Sequence, residues 1–520
     1  MQNKQRFLWQ ALLMTGVSLL LRSVGVSAQV IIASRVGAQA VGISSLIGGV
    51  YGFAVTLALS GIQFGTTRQM AECLGKEDTP LAHQTMRCCI GHALGFGLLS
   101  GTLLLLGSKT IATLWLRDLR TVTSLRVMAV TLPAVSLAAC FSGYFVAVRR
   151  VYKSAVVQVV EEILRVGLTL ILLGRMVAGG LEAALLALAL GGTIADLFSG
   201  LVLFLLYRND RRRHLTLSPR HAPLPSLAGT ARRLLKLTMP VAVAAYARSG
   251  LITLEHMLIP IGLQSFGQSH AEALSSYGMV HSMALPVLLF PCALTGAFAG
   301  LFIPEVTEAH VRGEWGRIRY MMNRVFSLTL FYAIGTAGLM MAFSHELGLA
   351  LYDSREAAEF IRLLAPLIPV MYLDSATDAM LKGLGQQVYS MKVNIFDASL
   401  SVLLVWLLVP RIGIMGYVVT IYVTELLNAA LSIVRLLNLL KPRTHVMTWV
   451  VKPLGAIVAA TALTRLLYAL IPASLTPAGR GGAVIVLVAV ALLLYVLFLV
   501  VLGALRREQM AWIGSFFVEK

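Results

Sequence analysis

FLWQALLMTGVSLLLRSVGVSAQVII, residues 7–32, is an apolar run of 26 residues with one charge, Arg22, inside it. A helix that crosses a bilayer needs about 20 mostly apolar residues. Lys4 and Arg6 precede the run as they would in a signal peptide, but no A-x-A-like cleavage site closes a short apolar core there. The run reads as a mature first helix. Outward from it the pattern repeats, and the hydropathy predicts spans at 8–33, 40–67, 86–107, 125–147, 154–177, 182–207, 236–263, 276–302, 321–343, 358–381, 390–409, 413–437, 447–471 and 482–505. The fold expected is all-α and integral to the membrane, with 14 transmembrane helices.

Composition agrees. The 520 residues are 58% hydrophobic and only 13% charged, with a mean hydropathy of +0.81. A soluble domain carries about 25% charged residues. Such a chain excludes a soluble enzyme, a disordered segment and a disulfide scaffold. The five cysteines (Cys73, Cys88, Cys89, Cys140 and Cys292) fit neither a metal site nor a disulfide framework. The net charge of +19 belongs to cytoplasmic loops rather than to a nucleic-acid surface. With the N-terminus cytoplasmic, 29 Lys and Arg fall on the inner side and 11 on or near the outer side. Both termini are therefore expected in the cytoplasm of a multi-pass cell-membrane protein.

An internal repeat divides the chain. LRVMAVTLPAV (125–135) resembles IRLLAPLIPV (361–370), Val151-Tyr152 is matched by Val388-Tyr389, and Gly75-Lys76-Glu77 loosely by Gly313-Glu314, all at offsets of 236–238 residues. Six spans per repeat keep the orientation, which predicts a pseudo-twofold axis along the membrane normal. The expected organisation is a six-helix half at 1–207, a basic linker at 208–235, a second six-helix half at 236–440, and two further helices with a short tail at 441–520.

Three arginines remain inside predicted spans: Arg22, Arg165 and Arg248. An intramembrane arginine is costly and faces a cavity or a partner. Arg22-Ser23 and Arg248-Ser249 lie 15 and 14 residues before Gly37 and Gly262, so they occupy equivalent places in the two halves. Two guanidiniums facing one wet cavity suit a phosphate or pyrophosphate. The competing reading is that each pairs with a buried acid, and Glu161 stands one turn before Arg165. Buried acids are Glu161, Glu162, Asp196, Glu255, Asp374, Asp378, Asp397 and Glu425. Of these, Glu162, Glu255, Asp374 and Asp378 are the candidates for ion coupling or charge balance. His92, His256 and His281 read as structural. Pro240, Pro260, Pro286, Pro291, Pro366 and Pro369 mark candidate helix breaks. Gly107-Ser108-Lys109-Thr110 has the wrong frame for a phosphate loop, and no catalytic motif, cofactor site or metal site is legible.

Gly143-Tyr144-Phe145 followed by Ala155, Gln158, Glu162 and Arg165 is similar to a pattern of the stage V sporulation protein B family. That family sits in the multidrug/oligosaccharidyl-lipid/polysaccharide exporter superfamily with the lipid II flippases. Arg22-x-x-Gly25, Tyr277-Gly278, Ile303-Pro304-Glu305-Val306, Leu373-Asp374-Ser375, Leu381-x-Gly383-Leu384-Gly385 and Gly413-x-x-Gly416-Tyr417 extend the resemblance over about 1–440. Glu255, where the family leads one to expect Asp, and the charged Arg149-Arg150 pair depart from it. The resemblance implies two six-helix bundles around a central cavity, Arg22 as a cavity arginine, and alternating-access movement of an undecaprenyl-pyrophosphate-linked saccharide to the outer leaflet. Its expected partners are that substrate, membrane lipids and a coupling ion, Na+ or H+; the protein is expected to be monomeric, not an enzyme, and to bind no nucleic acid. The alternatives are a cation-coupled exporter of small molecules with the same fold, or a non-transporting scaffold in envelope assembly.

Overall fold

The computed structural model describes residues 2–75, 78–176, 179–214, 226–441, 446–469 and 477–505. Among the described residues every regular element is a helix. This follows from the solvent, because hydrocarbon offers backbone groups no partner and a helix satisfies them within one segment. The first helices are α1 (Gln2–Leu59), α2 (Ile62–Gly75), α3 (Thr79–Thr110), α4 (Thr121–Ala129), α5 (Leu132–Ala147), α6 (Val151–Met176), α7 (Gly180–His214), α8 (Leu227–Ser265) and α9 (His270–Tyr277). They are followed by α10 (Leu285–Leu289), α11 (Cys292–Val311), α12 (Trp315–Ala342), α13 (Ser344–Tyr352), α14 (Arg355–Leu364), α15 (Ile368–Gly383), α16 (Gln387–Ile412), α17 (Ile414–Leu440), α18 (Lys452–Ala469) and α19 (Pro477–Val501).

The fold is all-α and membrane-integral. Among the described residues nine helices are long and apolar enough to cross, or ten if the bent pair 121–129 and 132–147 counts as one span. The expected count of 14 is reached by neither figure, for local reasons. The first two predicted spans run together through α1, where Gly37 takes a non-helical turn (φ 82°, ψ 167°) in place of a loop. The fifth carries Glu161, Glu162, Arg165 and Arg175. The eighth is broken between α10 and α11, at Phe290 and Pro291. In the last, the described apolar stretch is only Val486–Val501. Pro240 and Pro260, read as breaks, lie inside the continuous α8. The linker expected at 208–235 is helical at 208–214 and 227–235, and its middle lies outside the described residues.

Packing groups the chain into two units. One comprises Met1–Gly278 with Val402–Gly413, the other Met279–Ser401 with Ile414–Lys520. In the first, Phe141, Tyr144 and Tyr207 form a buried aromatic cluster in which the Phe141 and Tyr144 ring centroids each lie 5.0 Å from that of Tyr207. Tyr144 donates to Asp210 Oδ2 at 3.0 Å, and Arg150 and Lys153 pair with Asp210 Oδ1. The Asp210 side chain is 1% exposed, so this carboxylate ties the ends of α5, α6 and α7 together. In the second unit α12 packs with α15 and α18 around Met322, Phe326, Met380 and Tyr495.

Small residues permit the closest approaches, as expected where lipid supplies no hydrophobic force between helices. A Cβ on Gly143 would stand 2.6 Å from the Gln63 carbonyl oxygen, and Thr67 donates to the Gly143 carbonyl at 3.1 Å. In the other unit a Cβ on Gly383 would meet Val306 at 2.9 Å and the Ile303 oxygen at 3.2 Å, while Thr307 donates to the Gly383 carbonyl at 3.1 Å. Every member of the second set stands 240 residues after its counterpart in the first.

At Gly143 the obstacle is backbone, which cannot swing away. Gly143→Ala is expected to cost about 1–3 kcal/mol and to lower the unfolding midpoint in detergent more than Gly383→Ala. Gly48→Ala, with open space around its Cβ, serves as the neutral reference. The turn between α3 and α4 supplies a second test. Burial pushes the Asp118 carboxyl up, but hydrogen bonds and charge from Arg120 outweigh it and hold the group below its usual range. A lowered folded value gives stability that is complete above the unfolded carboxyl pKa, about 4, and lost as pH falls through the folded one. Asp118→Asn should therefore flatten the acid limb of a melting-temperature profile taken from pH 6 to 3.

Candidate functional site

The α6 stretch VVEEILRV places Glu161 and Glu162 one turn before Arg165, on the same helix face. Arg165 Nη2 donates to Glu161 Oε1 at 2.5 Å and to Asp196 Oδ1 of α7 at 2.8 Å, and its Nε lies 3.4 Å from Glu162 Oε2. The Asp196 side chain is 8% exposed. Tyr51 of α1 donates to its other oxygen at 2.8 Å and lies 2.7 Å from Thr131 Oγ1. One guanidinium thus gathers three carboxylates, and a tyrosine from a third helix orients the most buried of them.

The acid cluster also reaches the first limb of α1. A Cβ on Gly25 would stand 3.3 Å from Glu162 Oε1, so this glycine makes room for the carboxylate. Arg22 precedes Gly25 by three residues in the same helix. The Arg22 side chain lies outside the described residues.

α8 packs along the second limb of α1. Thr56 donates to Ser249 Oγ at 3.2 Å, Thr253 to the Gly49 carbonyl at 3.1 Å, and Tyr246 to the Leu57 carbonyl at 3.4 Å. Arg248 sits within this zipper and is exposed; among the described residues no carboxylate pairs with it. Glu255, two turns further, is half-buried and has its own partner. His256 Nδ1 is 3.0 Å from the buried Tyr277 hydroxyl.

In the other unit Asp378 pairs with Lys382 on its own helix at 2.6 Å, and Asp374 accepts from Asn428 of α17 at 3.3 Å. The seven residues singled out in the sequence therefore do not form one cluster. Arg165 and Glu162 meet each other, Glu162 reaches Gly25 of α1, Arg248 and Glu255 share α8, and Asp374 and Asp378 have separate local partners. Sequence reasoning missed Tyr51 and Thr131, which carry no signal in an apolar run. Asp196 was visible as an intramembrane acid, but its pairing with Arg165 spans 31 positions.

The polysaccharide biosynthesis protein family matches residues 9–259, and the MatE family matches 252–407. Stage V sporulation protein B of Bacillus subtilis (strain 168) is 22% identical over 419 residues, covering 79% of this chain and 80% of that protein. Lipid II flippase MurJ of the same organism is 23% identical over 282 residues, covering 51% of each. Among solved structures, the inward closed conformation of lipid II flippase MurJ superposes with a TM-score of 0.70 at 12% identity, over 94% of this chain and 97% of that one. An inward-facing multidrug resistance MATE family transporter of the MOP superfamily gives 0.61 at 15% identity, over 82% and 99%.

The Arg165 cluster makes a testable claim about charge balance. Removing the guanidinium leaves three acids facing one another at membrane depth, so Arg165→Ala should destabilise strongly. Pairing it with Glu161→Gln or Asp196→Asn should restore part of the loss. A double-mutant cycle read by thermal unfolding in detergent is expected to give a coupling of about 0.5–3 kcal/mol; additive effects would show that the three contacts are independent.

Proposed function

We propose that this chain, a homologue of stage V sporulation protein B and MurJ and with them a member of the multidrug/oligosaccharidyl-lipid/polysaccharide exporter superfamily, is a flippase for a lipid-linked saccharide. Its cargo in this reading is a polyprenyl-pyrophosphate carrying sugars, moved from the cytoplasmic to the outer leaflet during cell-wall, spore-cortex or polysaccharide biogenesis. A pyrophosphate and its sugars cannot cross hydrocarbon unaided, and a cationic chamber open to one leaflet at a time shields them while the chain stays in lipid.

The observation that carries the reading is Arg248. It stands in a 39-residue apolar helix, exposed, with no acid beside it among the described residues. A permanently charged group at that depth needs water or an anion. Arg22, on the limb of α1 that Glu162 touches, is the second cation of the site. Arg165 supports them, with Glu162, Glu255, Asp374 and Asp378 balancing charge or coupling Na+ or H+. The matched threonine–glycine contacts support a duplicated chain with halves at 1–207 and 236–440. In this reading the protein works as a monomer in the cell membrane, with both termini cytoplasmic, and carries out no covalent chemistry. The likeness to MATE transporters and the acid excess around Arg165 favour a second reading, a cation-coupled exporter of small molecules.

Reconstitution with a labelled lipid-linked saccharide separates the two. Each arginine is worth one or two charge-assisted bonds, so Arg22→Ala and Arg248→Ala should each slow translocation about tenfold or more, and together abolish it. Arg248→Lys keeps the charge but not the fork and should fall between. Undiminished translocation by the double variant would sink the flippase reading; export of an organic cation without saccharide movement would install the second.

A further inference from the structure

Two turns of the first unit are joined through one side-chain amide, away from the Arg165 cluster. Arg117, in the turn between α3 and α4, donates from Nη1 to Gln264 Oε1 near the end of α8 at 3.5 Å. The other end of that amide, Gln264 Nε2, lies 3.1 Å from Nδ1 of His270 at the start of α9. Arg117 holds a left-handed backbone (φ 52°), which a side chain other than glycine adopts at a cost. The roles in this chain of contacts are fixed by elimination. A guanidinium can only donate, so Gln264 turns its oxygen to Arg117 and its NH2 to His270. Nδ1 must then accept, and the imidazole is neutral with its hydrogen on Nε2. That Nε2 is buried without a hydrogen-bond partner among the described residues, and so is Gln268 Oε1 in the same turn.

A proton on His270 does not fit this arrangement. It puts a hydrogen on Nδ1 and sets donor against donor. Turning the Gln264 amide over would serve the imidazolium, but would present the NH2 to Arg117. One of the two bonds must break. Charge acts in the same direction. α9 packs against α1 and α8. From 38 to 59 α1 has no titratable side chain except Tyr51, which is bonded to Asp196, and α8 has none from 257 to 265. On α9 itself the exposed Glu272 is turned back onto Ser269. Across the contact stand Arg117, Arg120 and Asp118, with Glu182 of α7 acting on Arg120. Asp118 feels the charge of His270, but already accepts from Arg120 Nε at 2.9 Å and Nη2 at 2.6 Å. Two acids already balance these two arginines, so an imidazolium adds a positive charge beside Arg117 with no free acid to meet it.

We propose that Gln264 is a latch that reads the protonation state of His270. It joins the α8–α9 turn to the α3–α4 turn while the imidazole is neutral, and lets go when the imidazole takes up a proton. Arg117, Ser265, Phe266 and Ser269 are exposed, so the turns meet the aqueous phase. Imidazole changes charge between about pH 5 and 8. In the proposed division of the chain Arg117 belongs to the first half and Gln264 and His270 to the second, and in the proposed orientation both turns face outward. The role of the latch in transport rests on the flippase reading: acid on the outer face frees α8 there and favours opening to that side. The latch itself is a local property and can fail separately.

The test uses the full chain in nanodiscs, spin-labelled at Leu119→Cys and Ser265→Cys, both exposed positions in the two turns. Cys88→Ser leaves only buried native cysteines. Electron paramagnetic resonance then reads the separation of the turns between pH 8 and pH 5. One short distance is expected at pH 8, replaced by a longer one through a single-proton transition on acidification. His270→Asn puts an amide oxygen in the place of Nδ1 and cannot titrate, so it should hold the short distance throughout. Gln264→Glu offers two carboxylate oxygens to two donors, so its response should reverse, with the turns closest at pH 5. Both variants nearly match the side chains they replace and should keep the wild-type unfolding midpoint at pH 8. An unchanged distance in the otherwise unsubstituted labelled protein from pH 8 to pH 5, an unaltered acid response in His270→Asn, or opening of Gln264→Glu in acid would overturn the latch. If the turns part as expected while lipid-linked saccharide is not translocated, the latch stands and the flippase reading falls. If translocation proceeds but the turns do not move, only the latch is refuted.

Discussion

A guanidinium at membrane depth needs water or a counter-charge, and the packing of α1, α6 and α7 around Arg165 follows from that need. Arg165 has no ionisable escape at physiological pH, so the chain surrounds it with Glu161, Glu162 and Asp196. The acids then outnumber the cation, and they in turn need donors. Tyr51 serves Asp196, and Gly25 lets the Glu162 carboxylate lie against α1 beside the turn that carries Arg22. Each neutralisation recruits the next helix. α1, α6 and α7 are thus held by charge as much as by shape, in a solvent where removing one partner strands the others.

The remaining cohesion comes from close approach. With no hydrophobic force to draw helices together in lipid, dispersion and hydrogen bonding decide where they touch. Gly143 against Gln63 and Gly383 against Ile303 are such places, each fastened by a threonine hydroxyl on a glycine carbonyl. Their constant spacing of 240 residues, close to the 236–238 of the sequence repeat, is the spacing that the proposed duplication of the chain would leave. Two of the glycines quoted for the family resemblance, Gly143 and Gly383, are packing positions.

The sequence revealed what depends on runs and periods. Long apolar stretches gave the helical membrane fold, and the (i, i+4) spacing gave the pairing of Glu161 with Arg165. It did not reveal what depends on tertiary placement. Asp196 and Arg165 each advertised a missing partner, but nothing in one dimension joins them. Tyr51 is one hydroxyl in an apolar helix and is silent until Asp196 arrives opposite it. Gly37 was read as the end of a span because a loop and a positive-φ kink look alike in sequence. α6 reads as an apolar span although it carries Glu161, Glu162, Arg165 and Arg175, because Arg165 and the two glutamates pair with one another inside the protein.

The paired and unpaired arginines cannot have equal roles in the proposed carrier. A pyrophosphate approaching Arg165 would have to displace carboxylates bonded at 2.5 and 2.8 Å and leave those acids stranded. Its gain at that site is the difference between two strong interactions, and is small. At Arg248 no described carboxylate has to be displaced, so more of the charge-assisted bond would contribute to binding in the proposed carrier. In the proposed carrier affinity therefore concentrates on Arg248. In the proposed carrier Arg165 acts by holding the α6–α7 acids.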